Sequence, residues 1–285
     1  MIMKNVRAIY RTLLIVTSTV ILWIAFIIFC RLVPSSRAVI VRSWFLLMQK
    51  LIGIRILQRG VIGKHCLVSN HISYLDILVI GGQSNITFVA KSEVAKWPVV
   101  GYLSKIAGTI FIERKRTETA KQRDELECFI ESGRQICVFP EGTSSDGSEV
   151  IPFKSSLFQP LINLSKSQTI RVQPVSISYL RYSDGGPLNP DDASLFPWIG
   201  EDTLIRHLWQ VLRFPGFGVD ITFHDAIEVM NFSDRKELAS SCWGASADGV
   251  RQQRNALATH HQATFNEQGT PWEMTLNNLS FTSLD

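Results

Sequence analysis

The amino-acid sequence predicts a single α/β domain with a mixed, mostly parallel sheet flanked by helices, preceded by an N-terminal membrane-associated helical segment. From residue 54 onward, short β-rich runs alternate with stretches of helical periodicity, as in α/β sheets. Before residue 54, a long uncharged apolar run is followed by an amphipathic stretch. The chain has 285 residues and 46% hydrophobic content, which is enough to bury one core without disulfide or metal support.

Residues 1–55 are predicted to form a membrane anchor and an interfacial helix. Leu13 to Cys30 is an uncharged run of 18 residues, long enough either to span a bilayer or to form a shallow hairpin on one face. In the helix predicted from Ile40 to Ile52, basic and polar residues occupy one face and apolar residues the other. That helix suits the plane of the lipid headgroups. The alternative is an ordinary amphipathic helix docked on the domain.

The charge of the chain is unevenly distributed. Residues 1–75 contain ten Lys or Arg and no acidic residue, whereas the remaining 210 residues have a balance of −6. Clustered positive charge attracts either nucleic acid or an anionic membrane surface. The apolar content of the same segment favours the membrane. We therefore expect this segment to contact membrane lipids and expect no nucleic-acid partner.

The cysteines and histidines predict no metal site. No C-x-x-C pair or zinc-type spacing is present, which indicates free thiols in a reducing compartment. The five cysteines are Cys30, Cys66, Cys128, Cys137 and Cys242.

The domain itself is predicted to span residues 56–268, followed by a polar, poorly ordered tail at 269–285. Its six strand candidates are His65 to Val68, Ile86 to Ala90, Thr109 to Ile112, Gln135 to Phe139, Arg171 to Tyr179 and Val219 to Phe223. A charged helix is predicted between Thr117, its N-cap, and Ser132, with Gly133 as the stop signal and Ala120, Leu126, Phe129 and Ile130 facing inward.

His71 and Asp76 are the leading catalytic candidates. They lie where a strand candidate ends and an apolar helical stretch, Ile77 to Ile80, begins. With Ser73 as N-cap, the Asp76 carboxylate can turn back to the imidazole, fix its tautomer and leave the other ring nitrogen to accept a proton. This pair could deprotonate an alcohol. The alternative is a capping box of Ser73 and Asp76 with His71 as a plain loop residue.

Three further blocks overlap strand candidates or their ends and could share one rim of the sheet. Arg114, followed by two more basic residues, offers a guanidinium suited to phosphate or carboxylate, or it belongs to a solvated charge run. Glu141-Gly142-Thr143 could present a carboxylate and backbone N–H groups to a polar ligand, or it forms a plain turn. Pro174 lies in the last block.

In this order, the blocks resemble those of the glycerolipid acyltransferase family. Asn70-His71 with Asp76 matches its His-x4-Asp block, Gly108 to Arg114 its second block, Phe139 to Thr143 its third and Pro174 its fourth. The resemblance spans about residues 60–230 and implies that His71 is the general base, Asp76 its partner, and that Arg114 and Glu141 hold the acceptor head. It also implies substrate contacts at Asn70, Gly142, Thr143 and Pro174.

The resemblance further implies transfer of a fatty acyl chain from acyl-CoA or acyl carrier protein, as co-substrate, to the free hydroxyl of a lysolipid, with no cofactor. The expected acceptor is 1-acyl-sn-glycerol-3-phosphate, which would give phosphatidic acid. Ser144 stands where many members have Arg, which is similar to lyso-ornithine-lipid acyltransferases, the alternative. The expected location is the bacterial inner membrane, with the catalytic domain facing the cytoplasm.

Other function classes fit the sequence less well. No G-x-S-x-G elbow exists, which disfavours a serine hydrolase, and the histidines lack H-E-x-x-H spacing, which disfavours a metalloprotease-like site. A non-catalytic membrane-binding protein would have no reason to keep His71, Asp76 and Glu141 together.

Overall fold

The computed structural model describes residues 2–33, 35–112, 126–200 and 202–266, with side chains to residue 258. An eight-stranded sheet has the order β1-β7-β6-β2-β5-β3-β4, with β8 also paired to β6. The strands are β1 Ile54–Arg59, β2 Cys66–Ser69, β3 Ile86–Lys91, β4 Ile110–Ile112, β5 Gln135–Val138, β6 Arg171–Tyr182, β7 Phe217–Phe223 and β8 Ile227–Glu228. Only β7 and β8 run antiparallel to β6, and the other pairs are parallel. The predicted mixed, mostly parallel sheet is confirmed.

The helices flank this sheet. They are α1 Ile2–Leu32, α2 Ser36–Ile52, α3 Leu75–Gly81, α4 Val100–Ala107, α5 residues 126–131, α6 Gln159–Leu164, α7 Pro190–Ala193, α8 Leu204–Arg213 and α9 Arg235–Asn266. Short 3-10 helices occur at Ser92–Lys96, Ser155–Phe158 and Val229–Asn231.

All six predicted strands are present, with ends shifted by a few residues. The sequence did not predict β1 or β8. The edge strand β1 pairs only with β7 and carries Arg55, Gln58 and Arg59, so its apolar alternation is weak. In β8 there are only two residues, too few for any period to show.

Hydrophobic cores lie on both faces of the sheet because successive strand residues point to opposite sides. In β2, Leu67 faces the first core while Cys66 and Val68 face the second. In β5, Cys137 faces the first core while its two neighbours face the second. The first core is covered by α2 and α3, and the second by α6 and α9.

The helix α2 docks on the domain, as the second of the two sequence interpretations has it. Phe45 and Met48 are buried in the first core. Gln49, assigned by the sequence to a polar outer face, is also buried and donates to the carbonyl oxygen of Leu78 at 2.6 Å. Arg42 donates to the Gly82 carbonyl at the end of α3. The interfacial role of α2 stays a prediction, since Val39 is 67% exposed and Trp44 and Leu47 are only partly buried.

The helix α1 is long and apolar enough to cross a membrane, judged by length and composition alone, and no residue of its apolar window is buried. Its N-terminal part is tied to the domain. Arg11 donates to the carbonyl oxygens of Leu212, Phe214 and Pro215, at distances of 2.7 to 3.3 Å, and Arg7 donates to that of Arg213. Both guanidiniums thus satisfy carbonyl groups at the C-terminal end of α8.

The described end of the predicted charged helix agrees with the sequence. Residues 126–131 are helical, Leu126 is buried, and Gly133 has a φ of +71°, a left-handed value that ends the helix. The predicted N-cap Thr117 and the inward Ala120 lie outside the described residues, as does the tail at 269–285.

Candidate active site

His71, in the loop after β2, and Asp76, in the first turn of α3, form a hydrogen-bonded pair. The two atoms His71 Nδ1 and Asp76 Oδ2 lie 2.8 Å apart, and the Asp76 side chain is fully buried. The same Oδ2 accepts from the backbone N–H groups of Ile72 at 2.8 Å and Ser73 at 3.0 Å. A carboxylate that accepts from the ring fixes the proton on Nδ1, so Nε2 is left with the lone pair.

Only one of the two hydrogen bonds of a capping box forms between Ser73 and Asp76 among the described residues. The Ser73 N–H donates to Asp76, as in such a box, but Ser73 Oγ is buried without a hydrogen-bond partner among the described residues. The N-cap position belongs to Tyr74, one residue later than predicted. One carboxylate therefore both closes the helix turn and orients the imidazole, so the two sequence interpretations are not exclusive.

Tyr179 completes the set of donors around Asp76, and no motif or spacing in the sequence indicates this role. Its hydroxyl donates to Asp76 Oδ1 at 2.6 Å from the buried end of β6. Burial, followed by the nearby Asp76, raises the pKa of Tyr179 well above its ordinary value, so the hydroxyl keeps its proton and acts as a donor. Both oxygens of Asp76 are thereby engaged inside the protein.

The loop that carries His71 is fixed by neighbouring elements. The Asn70 side chain donates to the carbonyl oxygen of Ile177 at 3.0 Å and accepts from its N–H at 2.8 Å, so it extends the β2–β6 ladder. The Ser145 N–H donates to the His71 carbonyl at 2.8 Å, and the Trp198 N–H donates to that of Ile72 at 3.0 Å. Asn70, predicted to contact substrate, thus has both amide atoms bound to backbone.

Phe139 covers one face of the His71 ring. Its ring stacks on the His71 imidazole with centroids 4.3 Å apart and an interplanar angle of 25°. The His71 side chain is 20% exposed, which leaves an open edge. Aromatic stacking together with the Asp76 bond restricts the ring to one orientation. The sequence placed Phe139 in the third block without a role.

Glu141 lies beside His71 because β5 and β2 are parallel neighbours. The register pairs Val68 with Val138, and three residues further along each chain stand His71 and Glu141. The His71 N–H donates to Glu141 Oε1 at 3.0 Å. Burial raises the pKa of Glu141 to about 8, opposed by the N–H groups of His71 and Ile151, while Asp76 adds to the rise.

The remaining predicted site residues lie at different distances from this pair. Gly142 follows Glu141 at a φ of +68°, and a side chain there would clash with Lys154 Nζ. Thr143 is exposed in the turn that follows. Pro174 is buried in β6 opposite Val68, and its carbonyl accepts from the His224 N–H, so it shapes the sheet below the loop. Arg114 lies outside the described residues.

The chain is similar to known acyltransferases in sequence and in fold. A family model described as Acyltransferase matches residues 55–178. The chain is 34% identical over 205 residues to the lyso-ornithine lipid O-acyltransferase of Rhodobacter capsulatus, covering 71% of this chain and 72% of that relative. The chain belongs to the acyltransferase family.

Two further comparisons agree with this family assignment. The acyltransferase is 28% identical over 171 residues to the 1-acyl-sn-glycerol-3-phosphate acyltransferase of Neisseria gonorrhoeae, covering 60% of this chain and 63% of that relative. Its fold is similar to the crystal structure of a 1-acyl-sn-glycerophosphate acyltransferase from Thermotoga maritima. The TM-score is 0.64 at 20% identity, covering 88% of this chain and 98% of the other. The family match ends before Tyr179, so this donor to Asp76 lies beyond the matched residues.

Proposed function

We propose that this acyltransferase moves a fatty acyl group from a thioester, acyl-CoA or acyl carrier protein, to the free hydroxyl of lyso-ornithine lipid. The observation that carries the proposal is the His71–Asp76 bond of 2.8 Å, in which the buried carboxylate has all its donors inside the protein. An imidazole held in this way presents Nε2 as a general base for an alcohol.

The reaction follows from this geometry. The acceptor hydroxyl gives its proton to His71 Nε2 as its oxygen attacks the thioester carbonyl carbon. Asp76 stabilises the imidazolium that forms, through the proton on Nδ1. The tetrahedral intermediate then breaks its carbon–sulfur bond, and the departing thiolate takes the proton from Nε2. The products are one ester and one free thiol, and His71 is neutral again.

The surroundings of His71 favour direct transfer without an acyl-enzyme. Among the described residues, no serine, threonine or cysteine hydroxyl or thiol bonds to the His71 ring. Burial raises the pKa of Cys66 to about 12 and that of Cys137, near Asp76, well above its ordinary value. Thiols that stay protonated at neutral pH are poor nucleophiles.

Sequence similarity supports the ornithine-containing acceptor. The relatives from Rhodobacter capsulatus and Rhizobium meliloti, both 34% identical over about 70% of each chain, are named lyso-ornithine lipid O-acyltransferases. Ser144 also supports this acceptor, because it stands where an Arg is expected beside a phosphate and so removes one cation. Its hydroxyl donates to the Trp198 carbonyl at 2.5 Å.

The second candidate acceptor is 1-acyl-sn-glycerol-3-phosphate. It is favoured by the relative from Neisseria gonorrhoeae and by the basic run that begins at Arg114, which stays a prediction for anionic head recognition. Arg114→Ala should raise the KM of such an acceptor more than the KM of the thioester.

We place the enzyme at a membrane, where lysolipids are embedded and soluble thioester carriers are accessible. The exposed apolar window of α1 supports this location. The inner face of a bacterial cytoplasmic membrane is the location proposed for residues 1–55, with the domain on the cytoplasmic side.

Labelled acyl transfer by the purified protein tests the function. His71→Ala should lower turnover by about 10²- to 10⁴-fold because the general base is lost. His65→Ala is the matched control, since His65 lies at the opposite end of β2. Wild-type protein offered both acceptors should prefer lyso-ornithine lipid. Activity of a well-folded His71→Ala protein within a few-fold of wild type would contradict the assignment.

A further inference from the structure

A cavity of about 270 Å³ lies beside the loop that holds the catalytic pair. Its walls come from the loop after β5, from the end of β6, from the segment around α7 and from α9. Ile72, the residue after His71, forms one wall, and Tyr179, the donor to Asp76, forms another. Much of the lining lies beyond residue 178, where the family match ends.

The cavity has one acidic and one basic residue in an otherwise apolar and hydroxyl-bearing lining. Asp146 is exposed in the loop after β5, and Arg254 reaches the cavity from α9. Apolar contacts are offered by Ile72, Leu180 and Pro197, among others. The two charged residues form no salt bridge with each other among the described residues. Each charge therefore has capacity left for a ligand.

Both charges are held in place by short contacts. Asp146 Oδ1 accepts from the N–H and the hydroxyl of Ser148, at 2.7 and 2.5 Å, in a turn of the loop. Arg254 Nη2 donates to the Gly147 carbonyl at 2.6 Å, while its Nε is buried without a hydrogen-bond partner among the described residues. The Ser148 hydrogen bonds, and then Arg254, lower the pKa of Asp146, so this carboxylate is ionised at neutral pH.

We propose that this cavity binds the zwitterionic head of the acceptor, with Asp146 facing its ammonium group and Arg254 its carboxylate. This inference rests on the proposed function. Ornithine has two amino groups and one carboxyl group, so an ornithine joined to its acyl chain through one amide keeps one cation and one anion. A phosphate head is anionic only, and Asp146 would repel it.

The position of the cavity connects head recognition with the chemistry. Gly147 has a φ of +72°, and a side chain there would meet Ile72 Cδ1 at 2.9 Å, so this loop packs directly on the residue after His71. The Ser145 N–H donates to the His71 carbonyl at 2.8 Å. A head held by Asp146 and Arg254 thus contacts the same loop that positions the general base.

The experiment combines two protein variants with two altered acceptors. Steady-state transfer is measured with lyso-ornithine lipid, with its N-acetylated analogue, which lacks the ammonium, and with its carboxylate methyl ester. Asp146→Asn should raise the KM for lyso-ornithine lipid about tenfold, as expected for a lost charge-assisted bond, with kcat and the thioester KM nearly unchanged. With wild-type protein, each analogue should have a higher KM than lyso-ornithine lipid. In Asp146→Asn, the KM of the N-acetylated analogue should no longer exceed that of lyso-ornithine lipid. In Arg254→Gln, the same should hold for the methyl ester.

Matched controls exist for both changes. Asp184 Oδ1 accepts from the Gly186 N–H in a similar turn, away from the cavity, and Arg251 lies on α9 one turn before Arg254 and pairs with Asp248. Asp184→Asn and Arg251→Gln should leave every KM within about twofold of wild type.

The outcomes separate this site from the function on which it rests. One outcome is that wild-type protein acylates lyso-ornithine lipid while both cavity variants show the same KM ratios between the altered acceptors and lyso-ornithine lipid as wild type. In that case the head site is wrong and the proposed function stands. If wild-type protein acylates 1-acyl-sn-glycerol-3-phosphate and not lyso-ornithine lipid, both the acceptor assignment and the head site are overturned.

Discussion

Tyr179 donates its hydroxyl hydrogen to Asp76 across 2.6 Å, from a strand that lies 103 residues further along the chain. Asp76 therefore has four donors, three from the loop that precedes α3 and one from the sheet. A carboxylate fixed in this way cannot rotate away from the imidazole when the ring takes up a proton. In the proposed mechanism Tyr179 is a positioning residue, because it acts on His71 through Asp76.

Tyr179→Phe should lower kcat by about tenfold, the effect of one hydrogen bond to a charged group, with KM nearly unchanged. The acid limb of the kcat/KM profile should also move to higher pH, because Asp76 without this donor stabilises the imidazolium more strongly. Both are measured from pH–rate profiles of transfer. A purely structural role would lower the stability without moving the acid limb.

Tyr182→Phe is the control for this prediction. Its hydroxyl donates to Asp192 at the same 2.6 Å and from the same strand, but far from His71. The control should leave the pH profile unchanged. An equal shift in both variants would show that the effect is not specific to Asp76.

The absence of an acyl-enzyme is testable by kinetics and by mass. Initial-rate patterns with both substrates varied should intersect, as for a ternary complex, and no acyl group should remain on protein incubated with the thioester alone. The buried, protonated Cys66, Cys137 and Cys242 are the physical reason. Parallel kinetic patterns, or an acyl adduct in the intact mass, would contradict direct transfer.

The sequence predicted the sheet and the contact of His71 with Asp76 because both are local in the chain. Strands β2, β5 and β6 show as short apolar runs, and His71 and Asp76 are five residues apart. The contact of Tyr179 with Asp76 joins distant segments, and no periodicity or spacing records it. Gln49 was missed for a related reason: it is buried against carbonyl groups of α3, a contact decided by packing, whereas Arg42 and Lys50 on the same predicted polar face are exposed.

Glu141 should make the stability of the protein depend on pH. Its folded pKa of about 8 lies above the ordinary 4.5, so the folded state binds the proton more tightly, and stability falls as pH rises from about 4.5 to about 8. Glu141→Gln removes this dependence. Relative to the variant, wild type should lose on the order of 3 kcal/mol between pH 5 and pH 8.

Thermal unfolding of both proteins at the two pH values measures this difference. His71→Ala, tested in parallel, keeps Glu141 and should retain the slope. A constant gap in Tm between wild type and Glu141→Gln at pH 5 and pH 8 would be inconsistent with a carboxyl group that is neutral at physiological pH.

Arg11 should stabilise the domain and not only attract lipid. It donates to three carbonyl oxygens at the C-terminal end of α8. Arg11→Met should cost on the order of 2 kcal/mol, or roughly 5 °C in Tm. Lys4→Met, at an exposed position of the same helix, is the control and should change Tm little. Equal effects of the two changes would mean that Arg11 contributes charge alone.

The contacts of Arg11 also decide how membrane binding has to be tested. Deleting residues 1–36 would remove Arg7 and Arg11 together with the apolar run, so lost activity could come from a damaged domain. The outward face of α1 offers a cleaner change, since Leu13, Val20 and Ile24 are 62%, 48% and 46% exposed. Replacing all three by Asp adds about 10 kcal/mol to the cost of placing this helix in a bilayer.

The triple variant L13D/V20D/I24D should therefore leave the membrane fraction and keep its Tm, because these side chains point away from the domain. Replacing the same three residues by Ala keeps the helix apolar and should preserve membrane binding. Transfer to an acceptor in vesicles should fall in the Asp variant, while transfer to the same acceptor in detergent micelles should persist. The fractions are measured by sedimentation at high salt, which screens the basic residues. Full retention of the Asp variant in the membrane pellet would show that α1 is not the anchor.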